Sequence, residues 1–141
     1  MTTFGMAKWQ GGLKDGKGFL STKSGALNEY PYGFASRFEG KPGSNPEELI
    51  GAAHAGCFTM ALSLILGEAG YTATEMNTKA EVTLEKQGDG FAITKSHLDL
   101  TAEIPGADKA KFDAAVKAAE TGCPVSKLFK AEITVNAKLT R

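Results

Sequence analysis

Of 141 residues only two are cysteine, two are histidine, one is tryptophan and five are proline. Two cysteines do not make a disulfide scaffold, and without a CxxC pair the usual zinc-ligand spacing is missing. An excess of charge is missing as well: 16 Lys and Arg balance 16 Asp and Glu, for a net charge of 0. That balance removes the electrostatic footprint of a nucleic-acid or anionic-membrane binder. Met1 to Gln10 has neither the basic start nor the apolar core of a secretory signal, and no segment is expected to span a bilayer. A cytoplasmic location is therefore expected, where two thiols stay reduced and serve redox chemistry more readily than a permanent disulfide. Repeats, low-complexity tracts and linkers are absent too, and the length suits one domain over residues 1–141. What is present is ordinary for a globular fold: 42% hydrophobic and 23% charged residues.

The first forty residues read as β-structure. Phe4 to Gln10 and Lys17 to Lys23 form a hairpin across the Gly11-Gly12 and Asp15-Gly16 turn residues, and Phe34 to Glu39 reads as a third strand. Asn45, Pro46 and Glu48 then spell a helix start as N-cap, first helical residue and N3. The helix runs to about Glu68, and from Leu49 to Leu66 its only polar side chains are His54, Thr59 and Ser63. A helix without a solvated face is expected to be buried all round. Two long strands follow, Glu75 to Gln87 and Phe91 to Ile104, joined at Gly88-Asp89-Gly90. The inward parity switches between Ile93 and Leu98, predicting a β-bulge near Lys95 or Ser96. Asp108 caps a second helix with a Phe112, Ala115, Val116, Ala119 stripe. Pro124 starts a short helical turn, and Ala131 to Leu139 closes the chain as a strand. The expected class is α+β, with antiparallel sheets in the order βββ-α-ββ-α-α-β wrapped around a long buried helix. So few residues cannot cover that helix on every side, so it is expected at the interface of a homodimer.

Several motifs invite chemistry. Gly11-x-x-x-x-Gly16-Lys17 approaches a phosphate-binding loop, but position 18 is Gly and no helix follows, so nucleotide binding is set aside. His54 and Cys57 share a helix face. They suit a metal site with Cys123 or a Cys-His nucleophile, against the plainer reading of a histidine satisfied within the packed helix. Arg37 either faces solvent or directs its guanidinium at an anion such as a thiolate or carboxylate. Cys123, just before Pro124 at a helix start, has backbone N–H groups available to a thiolate, whereas Cys57, midway along a buried helix, has a pKa raised by desolvation. On these grounds Cys123 is the more acidic thiol, and Cys57 becomes reactive only with a buried cation beside it, for which Arg37 is the best candidate.

The run Pro31-Tyr-Gly-Phe-Ala-Ser-Arg37-Phe-Glu-Gly, the run Gly43-Ser-Asn-Pro-Glu47-Glu48 continuing to Ala-Ala-His-Ala-Gly-Cys57-Phe-Thr-Met-Ala-Leu-Ser, and Gly122-Cys123-Pro124-Val-Ser closely resemble the osmotically inducible protein C (OsmC/Ohr) family. The resemblance covers nearly the whole chain. It implies a thiol-dependent peroxidase preferring organic hydroperoxides, an intertwined homodimer with active sites at its interface, and no metal, haem or flavin. Carried over by position, Cys57 resembles the peroxidatic cysteine and Cys123 the resolving one. Arg37 resembles the arginine that holds the thiolate, and Glu47 the acid that holds the arginine. An external dithiol of lipoyl or thioredoxin type is the implied reductant. Phe34, Phe38, Phe58, Met60 and Phe129 are candidates for an apolar funnel that rewards a bulky alkyl peroxide, or else plain core residues. Two rivals remain at this point: a Cys57/His54 hydrolase or acyltransferase, and a non-catalytic dimeric protein that binds an apolar ligand.

Overall fold

A computed structural model describes residues 1–141. The chain groups into two compact units, 1–49 and 50–141, where the sequence suggests one domain. The division falls inside a helix, which is why no linker composition marks it.

In the first unit, β1 (Gly5–Gln10), β2 (Lys17–Thr22) and β3 (Tyr30–Tyr32) form an antiparallel sheet in that order. Gly18 pairs with Trp9 on one side and Tyr32 on the other. Those two rings meet edge-on at 5.6 Å across it. A Cβ on Gly18 would lie 2.5 Å from the Tyr32 ring and 2.6 Å from the Trp9 ring, so the aromatic clasp requires glycine there. The third strand is thus Tyr30–Tyr32. The segment expected to be a strand is a short helix instead, α1 (Phe34–Phe38). The reason is local: the Ser36 hydroxyl accepts from the Gly33 N–H at 2.9 Å and donates to the Ser44 carbonyl at 2.8 Å. These side-chain bonds outweigh the strand propensity of two phenylalanines.

The second long element, α2 (Pro46–Glu68), begins as its sequence dictates, with Asn45 Oδ1 accepting from the Glu48 N–H at 2.8 Å. Such a cap contributes about 1 kcal/mol. With 23 residues and a mean hydropathy of 1.8, α2 is long and apolar enough to cross a membrane, contrary to the expectation for this chain. The core helix of a globular fold passes the same test. Here Phe58, Leu62 and Leu66 are buried in the core of residues 50–141. Burial is one-sided, however. Ala52, Ala53, Gly56, Met60, Leu64 and Gly67 are exposed along the opposite stripe, Met60 at 77% and Leu64 at 65%. The helix that was expected to be buried on all sides is half-covered by its own chain.

The partner surface is a three-stranded sheet of β4 (Glu75–Gln87), β5 (Gly90–Glu103) and β6 (Glu132–Thr140). Gly51 packs so close to β4 that a Cβ would stand 3.2 Å from the Ala80 carbonyl oxygen. The β4–β5 hairpin is antiparallel, and its register slips where Thr83 faces Lys95 and Leu84 faces Ile93. The bulge residue is therefore Thr94, one position from where the parity switch predicts it. Strand β6 runs parallel to β5, so the expectation of purely antiparallel sheets is corrected. The chain crosses over between them through α3 (Lys109–Gly122) and α4 (Pro124–Leu128), which returns it in the direction of β5. Asp108 caps α3 by accepting from the Lys111 N–H at 3.0 Å. The Phe112, Ala115, Val116, Ala119 stripe is buried with Leu98, Leu100 and Ala102 of β5.

Candidate active site

Both thiols are free and lie in the second unit. Cys57 projects from the middle of α2 and is partly buried. Cys123 joins α3 to α4 and is fully buried. The two side chains lie close enough for each to shift the other's ionisation, and the Val125 N–H faces both sulfurs. Cys123 Sγ also receives the Ser126 N–H at 3.3 Å and lies 3.2 Å from Ser126 Oγ. Pro124 starts α4 without an N–H to spend, leaving the following amides aimed back at the sulfurs.

Their electrostatics differ as the sequence suggests. Burial pushes the Cys57 thiol up, and the neighbouring Cys123 sulfur pushes it further, against the Val125 N–H. Burial works against the Cys123 thiolate too, but the Ser126 hydroxyl and N–H, the Cys57 thiol and the Val125 N–H outweigh it and hold Cys123 below the usual thiol range. Within one chain the pair carries its first negative charge on Cys123.

His54 is fully buried. Its Nδ1 is 2.6 Å from Ser96 Oγ and its Nε2 is 2.8 Å from Ser126 Oγ. Phe129 meets the imidazole edge-on at 4.8 Å. Burial pushes the imidazole pKa down, keeping it neutral near pH 7. The satisfying groups are two serine hydroxyls, and neither could be read from the sequence. Ser96 lies 42 residues from His54 and Ser126 lies 72 away. The one available signal was the Cys-Pro-x-Ser spacing, which lets a serine three residues on cap the cysteine's own turn. With both ring nitrogens engaged, His54 has no lone pair to spare for a metal.

The other candidates form a second group in residues 1–49. Arg37 Nε donates to both Glu47 carboxylate oxygens, at 3.1 and 3.2 Å, and its terminal Nη2 donates to Oε1 at 2.6 Å. The Glu47 side chain is 11% exposed and that of Arg37 37%. The guanidinium also lies 5.3 Å over the Phe38 ring, and Phe38 meets Phe34 at 5.1 Å. Phe34, Arg37 and Phe38 line a pocket of about 220 Å³ together with Trp9, Leu13 and Tyr32. The five funnel candidates thus separate. Phe34 and Phe38 flank Arg37, Phe129 covers His54 and Met60 stands exposed on α2. Phe58 is corrected: at 0% exposure it is a core residue with no surface to offer a substrate.

Comparison with known proteins matches these features to a family. The family described as OsmC-like protein matches residues 38–138. Peroxiredoxin OsmC of Escherichia coli (strain K12) is 57% identical over 135 residues, 96% of this chain and 94% of that one. The organic hydroperoxide resistance protein of Xanthomonas axonopodis pv. citri (strain 306) is 30% identical over 71% of this chain and 69% of its own length. Among solved structures, the organic hydroperoxide resistance protein OhrB of Bacillus subtilis superimposes with a TM-score of 0.69 at 26% identity, covering 99% and 98% of the two chains. An OsmC-like protein of Mycoplasma pneumoniae reaches 0.78 at 12% identity over 100% and 99%, a likeness of fold alone. The chain belongs to the OsmC-like protein family.

Proposed function

We propose that the chain is a cysteine-based peroxidase that reduces organic hydroperoxides, and hydrogen peroxide more weakly, to alcohols or water. The observation that carries this reading is the nearness of two free thiols, Cys57 and Cys123, each shifting the other's ionisation beside backbone N–H donors. Relatives named peroxiredoxin and organic hydroperoxide resistance protein support it. Cys57 thiolate attacks the outer oxygen of ROOH; the O–O bond breaks, ROH leaves with a proton, and Cys57 becomes a sulfenic acid. Cys123 then displaces hydroxide from that sulfur and forms the Cys57–Cys123 disulfide. An external dithiol of lipoyl or thioredoxin type, in a reducing cytoplasm, returns both thiols by exchange.

Cys57 is a poor thiolate in the single chain, so the reading calls for a cation. Glu47 and Cys57 are ten residues apart on the continuous helix α2, about 15 Å along its axis and about 80° apart in azimuth. One arginine held by Glu47 does not reach Cys57 of the same chain. Arg37 and Glu47 of one subunit therefore serve Cys57 and Cys123 of the other, in a homodimer that covers the apolar stripe of Met60 and Leu64. Arg37 also supplies N–H donors to the peroxide as charge moves to the leaving oxygen, and Phe34, Phe38 and Phe129 offer apolar surface to an alkyl group.

Intact-mass analysis after one equivalent of tert-butyl hydroperoxide tests the chemistry. The expected product has lost two thiols per chain to a disulfide that dithiothreitol reverses; retention of both thiols overturns the reading. A Cys57/His54 hydrolase would need His54 on Cys57, whereas both its ring nitrogens meet serines.

A further inference from the structure

The peroxidase reading gives His54 no task, yet it sits in a chain of buried hydrogen bonds in the second unit. Ser96, His54, Ser126 and Cys123 form one line, with successive separations of 2.6, 2.8 and 3.2 Å. Each hydroxyl has one proton, and a neutral imidazole has one N–H, so the line has a direction. If Nδ1 holds the proton, Nε2 takes the hydroxyl proton of Ser126 and the Cys123 thiolate loses that donor. The Ser96 hydroxyl would then be buried without an acceptor, since His54 is its one side-chain partner. If Nε2 holds the proton, Ser96 donates to Nδ1 and Nε2–H donates to Ser126 Oγ; that oxygen also receives the Cys123 S–H of the neutral thiol, and once Cys123 ionises the Ser126 O–H turns to the sulfur. With Cys123 as thiolate every buried proton is then used.

We propose that Ser96 holds His54 as the Nε2–H tautomer, and that His54 thereby commits the Ser126 hydroxyl to the thiolate of Cys123. His54 is a positioning residue and reaches the reacting sulfur only through Ser126. In the second half-reaction the Cys123 thiolate forms the S–S bond as the S–O bond of the Cys57 sulfenic acid breaks. Hydroxide departs with the electron pair and takes up the proton that Cys123 shed to solvent, leaving as water. When the dithiol later attacks Cys57, the same hydrogen bonds stabilise Cys123 as leaving thiolate. The assignment of these two steps rests on the peroxidase reading; the hydrogen-bond direction does not.

The test is therefore done without peroxide. In Cys57→Ser protein Cys123 is the one remaining thiol, and its thiolate absorbance is titrated against a Cys57→Ser/Cys123→Ser blank. The ionisable groups facing that sulfur are Cys57 from α2, His54 through Ser126 and, in the proposed dimer, Arg37 and Glu47 of the other subunit. Adding His54→Ala is expected to raise the midpoint by about one pH unit, a tenfold loss of thiolate below the midpoint. His54→Gln, whose amide N–H falls near the Nε2 position, is expected to restore it. Ser96→Ala removes one hydroxyl that does not touch Cys123, and is expected to raise the midpoint by a smaller amount. Combining His54→Ala with Ser126→Ala adds nothing beyond Ser126→Ala, because His54 acts through that hydroxyl. Unmoved midpoints in His54→Ala and Ser96→Ala overturn the inference, as does full additivity of the pair. If His54→Ala does not fold, Ser96→Ala decides alone. A flat titration with normal disulfide formation refutes the tautomer assignment only; a shifted titration without a peroxide-driven disulfide refutes the peroxidase only.

Discussion

Replacing Glu47 by Gln removes the carboxylate charge and keeps the side-chain shape, which isolates what that charge does for Arg37. Three donor–acceptor contacts between 2.6 and 3.2 Å link the pair. A hydrogen bond to a charged group contributes about 1.5–3 kcal/mol. Water competes for a guanidinium that is 37% exposed, and that discount leaves ~1–2 kcal/mol for fixing Arg37. If all of it reaches the transition state, kcat/KM for cumene hydroperoxide falls ~5–30-fold. The assay is peroxide consumption under saturating dithiol, with melting curves to confirm that the fold is intact. Glu48→Gln is the control, since Glu48 is solvent-exposed and accepts only the Ser44 hydroxyl at 2.9 Å. It is expected to stay within about twofold of wild type. A Glu47→Gln enzyme that matches the Glu48→Gln enzyme, with an unchanged melting curve, refutes the idea that this carboxylate orients the arginine.

Gly18→Ala forces a methyl between Tyr32 and Trp9 and is expected to destabilise the β1–β3 sheet by ~1–3 kcal/mol; urea unfolding followed by Trp9 fluorescence measures it, and an unshifted midpoint contradicts the packing. Met60→Lys places a charge on the exposed stripe of α2, and light scattering should then show 14.8 kDa chains where the wild type shows about twice that mass. A wild-type protein that scatters as a monomer removes the dimer. Burial holds the His54 imidazole below 6.5, so the unfolded chain takes up its proton first as the pH falls. The stability that follows from a neutral His54 is complete above 6.5 and is lost as the pH drops from there through the folded value. Urea midpoints compared at about pH 7.5 and about pH 5 should therefore fall less in His54→Gln than in wild type, and equal falls contradict the assignment.

Local signals in the sequence carried much of this fold. Asn45-Pro46-x-Glu48 and Asp108 place two helix starts because a cap is satisfied within three residues. The Cys123-Pro124 turn and the relative acidity of the two thiols were legible for the same reason. Phe34–Phe38 was misread because the competing bonds come from Ser36 and from the distant Ser44 carbonyl, not from the alternation of its side chains. The direction of β6 has no signature in its own residues; it depends on the crossover through α3 and α4. Apolar residues all round α2 say that every face wants cover, without saying that this chain supplies half of it. Ser96 and Ser126 were invisible as partners of His54 because tertiary structure alone brings them within reach.

The parallel docking of β6 on β5 sets an order of assembly. The β4–β5 hairpin closes across a two-residue turn and gathers as soon as both strands exist, whereas β6 waits until α3 and α4 have spanned the way back. Cys57 and His54 are synthesised long before the segment that shelters them. Until residues 123–126 dock, a nascent chain has one unaccompanied sulfur and an imidazole without its second serine. The meeting of the two thiols is thus tied to the last and slowest closure of the sheet.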